Sequence, residues 1–161
     1  MNTTNPSAPP RRTLAVWLAS GLGVGLVMPA PGTFGALWGL PLLWIYGMLP
    51  GDLWWWTVAI AMLAVGVPVC GRAARDLQRK DPGPVVWDEF ATVPLVFAFV
   101  APSSPWLVLL GFALHRVFDI SKPWPCRQLE SQPGGWGIML DDVVAAFYAA
   151  AVLWAIRHLG G

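Results

Sequence analysis

Long apolar stretches follow one another along this chain and leave it few ways to fold. They run over residues 14–28, 33–50, 53–71, 85–102, 105–120 and 138–157. Only 12% of the residues are charged and the mean hydropathy is +0.56, against about 25% charged in an ordinary soluble domain. A helix needs about 20 apolar residues to span a bilayer. The pattern therefore predicts an all-α, polytopic membrane helix bundle with about five spans. Stretch 14–28 is short and carries Gly21, Gly23 and Gly25, so it reads as a re-entrant or interfacial helix that does not cross. Residues 1–12, polar and proline-rich, read as a disordered tail, and 13–161 as one membrane-embedded domain. No small-residue cleavage site follows Arg11 and Arg12, so no signal-peptide removal is expected. A net charge of +1 gives no electrostatic footprint for nucleic acid. Cys70 and Cys126 fit neither a zinc pattern nor a disulfide framework and read as reduced packing residues.

Loop charge sets the expected orientation. Residues 72–80 hold Arg72, Arg75, Arg79 and Lys80, and residues 116–127 hold Arg116, Lys122 and Arg127. The connections 50–52 and 102–105 hold no Lys or Arg. Cationic short loops stay in the cytoplasm, so 72–84 and 121–137 are expected inside and the other two connections outside. Arg157 at the far end is a weak opposing vote. This threading brings Pro31–Gly35, Asp88-Glu89, Arg116–Lys122 and Asp141-Asp142 to one membrane face.

Those segments carry the chemistry. Carboxylates beside hydrocarbon are costly and need a partner, and a divalent cation is the simplest one for several acids together. Asp88-Glu89 opens one apolar stretch; the plain alternative is a pair favoured by the helix dipole. Asp141-Asp142 follows the flexible run 133–137 and is read as the start of another helix, with more acid than a cap requires. Arg116, Asp119 and Lys122 are spaced i, i+3, i+6; they form either a local ion pair or a phosphate clamp with a carboxylate ligand. Pro31-Gly32-Thr33 is a turn entering a helix, either an ordinary cap or a phosphate-binding helix start. Asp76 and Asp81 lie in a cationic loop where solvated charge is ordinary, with Asp76 a possible outlying ligand. His115 and His158 read as structural, and Trp54-Trp55-Trp56 as an interfacial aromatic belt. No nucleotide phosphate loop and no G-x-S-x-G elbow is present. A small cation-coupled transporter is the competing class, since it too would use intramembrane carboxylates.

Four stretches together, PAPGTFGALWGLP (29–41), VVWDEF (85–90), HRVFDISKPWP (115–125) and GGWGIMLDDVVA (134–145), resemble the phosphatidylglycerophosphatase A family in content and order. Ala36, Thr92 and Ala146 stand where the family often has Ser, Gly and Gly. The resemblance implies a Mg²⁺-dependent phosphatase that converts phosphatidylglycerophosphate to phosphatidylglycerol at the cytoplasmic face of a bacterial inner membrane. On that reading Asp88, Glu89, Asp119, Asp141 and Asp142 hold one or two Mg²⁺ directly or through water. Arg116 and Lys122 neutralise phosphate oxygens, Gly32 and Thr33 bind phosphate, and Asp142 is the candidate base. An aspartyl-phosphate route stays open at this stage.

Overall fold

The computed structural model describes residues 11–159, and these are helical wherever they are regular, with no strand among them. The expected tail lies almost wholly outside that range. Among the described residues nine helices follow in order: α1 Leu14–Ala19, α2 Val24–Val27, α3 Pro31–Trp38, α4 Leu40–Gly47, α5 Asp52–Asp76, α6 Trp87–Val96, α7 Pro105–Ser121, α8 Cys126–Glu130 and α9 Gly135–Leu159.

The first apolar stretch breaks where its glycines predict. Gly21, Leu22 and Gly23 all take positive φ, a backbone region that a continuing right-handed helix excludes. Thr13 caps α1, and its hydroxyl also donates to Asp76 Oδ2 at 2.6 Å. Stretch 33–50 is likewise divided, into α3 and α4, with Pro41 in the first turn of the second helix.

Two helices, α5 and α9, are long and apolar enough among the described residues to cross a membrane, by length and composition. The expected count of about five spans is therefore not confirmed. Stretch 85–102 does not form one long helix: α6 ends at Val96 after ten residues. That length rises about 15 Å, half of the ~30 Å hydrocarbon thickness. Pro94 removes a backbone donor inside its last turn. The helix then closes tightly, with Phe97 N–H donating to Pro94 and Ala98 N–H to Leu95.

Every residue from Phe90 to Val96 is buried. Such a helix, apolar on all sides, belongs at a core, and α3, α4, α5, α7 and α9 surround it. α9 packs on α5 through glycine. A Cβ on Gly135 would overlap the carbonyl oxygen of Val67, and one on Gly71 would come within 2.9 Å of the Gly135 nitrogen. The outside is apolar too. Only 17% of the most apolar part of α5 is covered by the rest of the protein, and Leu53, Ile60, Trp44, Trp106 and Ile120 are exposed. Water-soluble monomers rarely show so much contiguous apolar surface; lipid is the medium that suits it.

Candidate active site

One cavity of about 210 Å³ gathers most of the polar residues singled out in the sequence. Its wall takes Pro31 and Gly32 from α3, Asp88 and Glu89 from α6, Asp119 and Lys122 from the end of α7, and Asp141 and Asp142 from α9. Ligand pockets usually span about 300–1,000 Å³, so this one suits a compact polar head rather than a whole lipid.

Asp88 and Glu89 lie in the first turn of α6, where the helix dipole favours anions. Successive helical residues diverge by about 100°, and the pair divides accordingly. Glu89 turns to α7, where Arg116 Nη1 donates to its Oε2 at 2.8 Å. Asp88 lies in the electrostatic neighbourhood of Asp141 and Asp142. The same Arg116 nitrogen also bonds Asp119 Oδ2 at 2.5 Å, so Arg116 stands behind the cavity wall and ties two of its carboxylates together. Arg116 Nε is buried and has no hydrogen-bond partner among the described residues.

Asp141 and Asp142 differ from the sequence expectation. α9 begins at Gly135, so the pair sits in its second turn and no acid lies in its first. Capping and the helix dipole therefore do not explain them. Both are nonetheless buried, 5% and 3% exposed. Lys122 Nζ bridges Asp141 Oδ2 at 2.8 Å and Glu130 Oε2 at 3.0 Å. Burial alone would depress the Lys122 ammonium, but these hydrogen bonds outweigh it and raise the group above the ordinary lysine range.

Asp88 Oδ1, Asp141 Oδ1 and Asp142 Oδ2 are buried without a hydrogen-bond partner among the described residues. A buried, unpaired carboxylate oxygen is among the costliest groups a fold can keep. Three such oxygens belong to side chains that line one cavity. Among the described residues, no three His, Cys, Asp or Glu side chains converge closely enough to enclose a metal ion by themselves. The donors are of the right kind for Mg²⁺, which takes oxygen ligands, retains waters and shares its shell with substrate phosphate.

α3 leaves the Gly32 and Thr33 amides free of intrahelical bonds, because the first such bond runs from Phe34 to Ala30. Glu89 and Arg116 press against Gly32: a Cβ there would strike Glu89 Oε1 and come to 3.0 Å from an Arg116 nitrogen. Thr33 is half-buried but does not line the cavity.

Two sequence expectations are corrected. Asp76 is not an outlying ligand; it accepts from Thr13 and from Arg72 Nε and stands away from the cavity. Asp81, read as an ordinary solvated charge, lines the cavity with its neighbour Lys80. Enclosure by the wall raises the Asp81 carboxyl above its usual range, while Lys122 pulls the other way. Glu130 and Gln132 also line the cavity and were not singled out. The proline pair flanking Gly83 was the available signal for the first loop, since it turns the chain inward just before α6. Behind the acids, the hydroxyl of Thr92 meets the Asp88 carbonyl at 2.8 Å and His115 Nε2 at 3.3 Å, which fits the structural reading of His115. Cys70 and Cys126 are free and buried.

Known proteins give this arrangement a relation. The family described as phosphatidylglycerophosphatase A matches residues 17–157. A phosphatidylglycerophosphatase A of Haemophilus influenzae is 42% identical over 143 residues, covering 88% of this chain and 87% of its own length. The protein of the same name from Escherichia coli is 37% identical, covering 88% and 82%. A Bacteroides thetaiotaomicron protein provisionally named phosphatidylinositol-3-phosphatase is 37% identical, covering 92% and 96%. No solved structure matches the chain at a significant level. With the family match running through every cavity-lining segment, and with near-complete coverage of two relatives, the chain belongs to the phosphatidylglycerophosphatase A family.

Proposed function

We propose that this protein hydrolyses the terminal phosphomonoester of phosphatidylglycerophosphate to give phosphatidylglycerol and phosphate, with Mg²⁺, at the cytoplasmic face of a bacterial inner membrane. The observation that carries the reading is one small cavity whose lining brings Asp88, Asp141 and Asp142, each with a buried carboxylate oxygen lacking a hydrogen-bond partner among the described residues, together with Lys80 and Lys122. Membership in the family points to a phosphatase and leaves the cation-coupled transporter without support.

Asp88, Asp141 and Asp142 would hold Mg²⁺, with Glu89 and Asp119 acting directly or through water. Mg²⁺ held there would supply Lewis-acid polarisation of the phosphoryl group and a more acidic water. The remaining work falls to the chain. Phosphoryl transfer is mainly positioning and charge stabilisation. Lys122, which lines the cavity, neutralises non-bridging oxygens; Arg116, behind the wall, fixes Glu89 and Asp119, and the free amide of Gly32 adds a donor at a helix start. Asp142 accepts the proton of the attacking water. The new P–O bond forms as the bond to the glycerol oxygen breaks, and that oxygen is protonated from solvent. The acyl chains stay in the bilayer, against the apolar exterior that α5 and α7 present.

The test is phosphate release by the purified protein from phosphatidylglycerophosphate in neutral detergent micelles. Turnover is expected with Mg²⁺, loss with a chelator, and recovery when Mg²⁺ is restored. Turnover that persists unchanged in chelator would remove Mg²⁺ from the reading; no turnover under any condition would remove the activity.

A further inference from the structure

The cavity holds more acid than its known cations balance. Seven carboxylates line it, from Asp81, Asp88, Glu89, Asp119, Glu130, Asp141 and Asp142, against the ammonium groups of Lys80 and Lys122 alone. Lys122 is engaged by Asp141 and Glu130, and Arg116 behind the wall is engaged by Glu89 and Asp119. Lys80 differs: it lines the cavity from the exposed α5–α6 connection and has no carboxylate within 4 Å among the described residues. It is an exposed cation of the cavity lining whose charge is not already committed to a close pair.

The substrate of the reading above, on which this inference rests, carries two phosphates. The terminal monoester is cleaved. The second is the diester that joins the glycerol head to the diacylglycerol, and it must stay nearer the lipid while the monoester reaches the carboxylates. An acid-rich wall repels that second anion unless a cation meets it. A lysine on a flexible stem suits this, because it works as a mobile point charge and does not demand a fixed fork geometry.

We infer that Lys80 binds the bridging diester phosphate and thereby makes the enzyme select headgroups that carry a diester as well as a terminal monoester. Phosphatidic acid, a monoester with no second phosphate, lacks that contact. The test compares kcat/KM of the wild type, Lys80→Ala and Lys80→Arg on phosphatidylglycerophosphate and on phosphatidic acid. Both lipids are presented at equal mole fraction in neutral detergent micelles with Mg²⁺. The wild type is expected to favour phosphatidylglycerophosphate. Lys80→Ala should lower that preference about tenfold, the scale of one charge-assisted contact, and Lys80→Arg should largely restore it. A general attraction of the loop for anionic lipid would lower both substrates by the same factor, and an unchanged ratio overturns the inference. Failure of the underlying reading is separate: there the wild type itself releases no phosphate from phosphatidylglycerophosphate.

Discussion

Asp142 is 3% exposed, has an oxygen with no partner, and stands among Asp88, Asp119 and Asp141. No hydrogen bond among the described residues offsets that oxygen, which supports the proposed cation site. Replacing Asp88, Asp141 or Asp142 by Asn keeps shape and removes charge. Each variant is expected to lose about 100-fold or more in turnover while remaining folded and membrane-bound. Near-normal phosphate release from all three would sink the cation site. Lys122→Ala should also reduce turnover, with less effect on membrane yield, because the side chain is a bridge between two acids and not part of the core. Full activity across a range of substrate concentrations would return Lys122 to a structural role. These residues stood out in the sequence because acids are rare beside apolar runs. Asp81, Lys80 and Glu130 did not stand out, since charge in a polar connection is common and only the folded path of residues 77–86 and 126–134 brings it to the cavity.

At the scale of elements, α3 and α6 meet where the site is formed. Gly32 lets the start of α3 approach the Glu89–Arg116 pair, and any side chain there displaces one of them. Gly32→Ala should therefore depress turnover by about tenfold or more while leaving helix content unchanged, the difference being one ion pair shifted by a fraction of an ångström. A fully active Gly32→Ala protein would show that the close approach is dispensable. The apolar stretches announced α5, α7 and α9 well, because long hydrophobic runs with few charges have one regular solution in lipid. Hydropathy could not show that α6 is short and enclosed. A buried core helix and a membrane span read alike over ten to eighteen residues, and only packing against five other helices distinguishes them. The start of α9 was misread for a related reason: Gly135-Trp136-Gly137 looked like a loop, yet the close contact of Gly135 with Val67 and Gly71 favours glycine inside a helix.

The whole molecule gathers seven carboxylates at the cavity and carries an apolar exterior on α5 and α7 that suits lipid. Its orientation in the membrane decides whether the site can meet a lipid phosphate on the inner leaflet. We propose from the loop cations that residues 72–84 and 121–137 face the cytoplasm and residues 50–52 and 102–105 the outside, with 14–28 entering and returning on one side. Ser121 lies at the cavity end of α7 and Ser103 just beyond its opposite end, and both are exposed, so a cysteine at either position is open to reagent. Cys70 and Cys126 are fully buried and can be replaced by Ala to give a silent background. On intact cells a membrane-impermeant thiol reagent should label Ser103→Cys and leave Ser121→Cys unlabelled; after the membrane is opened, both should react. Labelling of Ser121→Cys on intact cells would turn the cavity outward, away from any substrate confined to the cytoplasmic leaflet, and the proposed reaction would then need its lipid delivered from the other side.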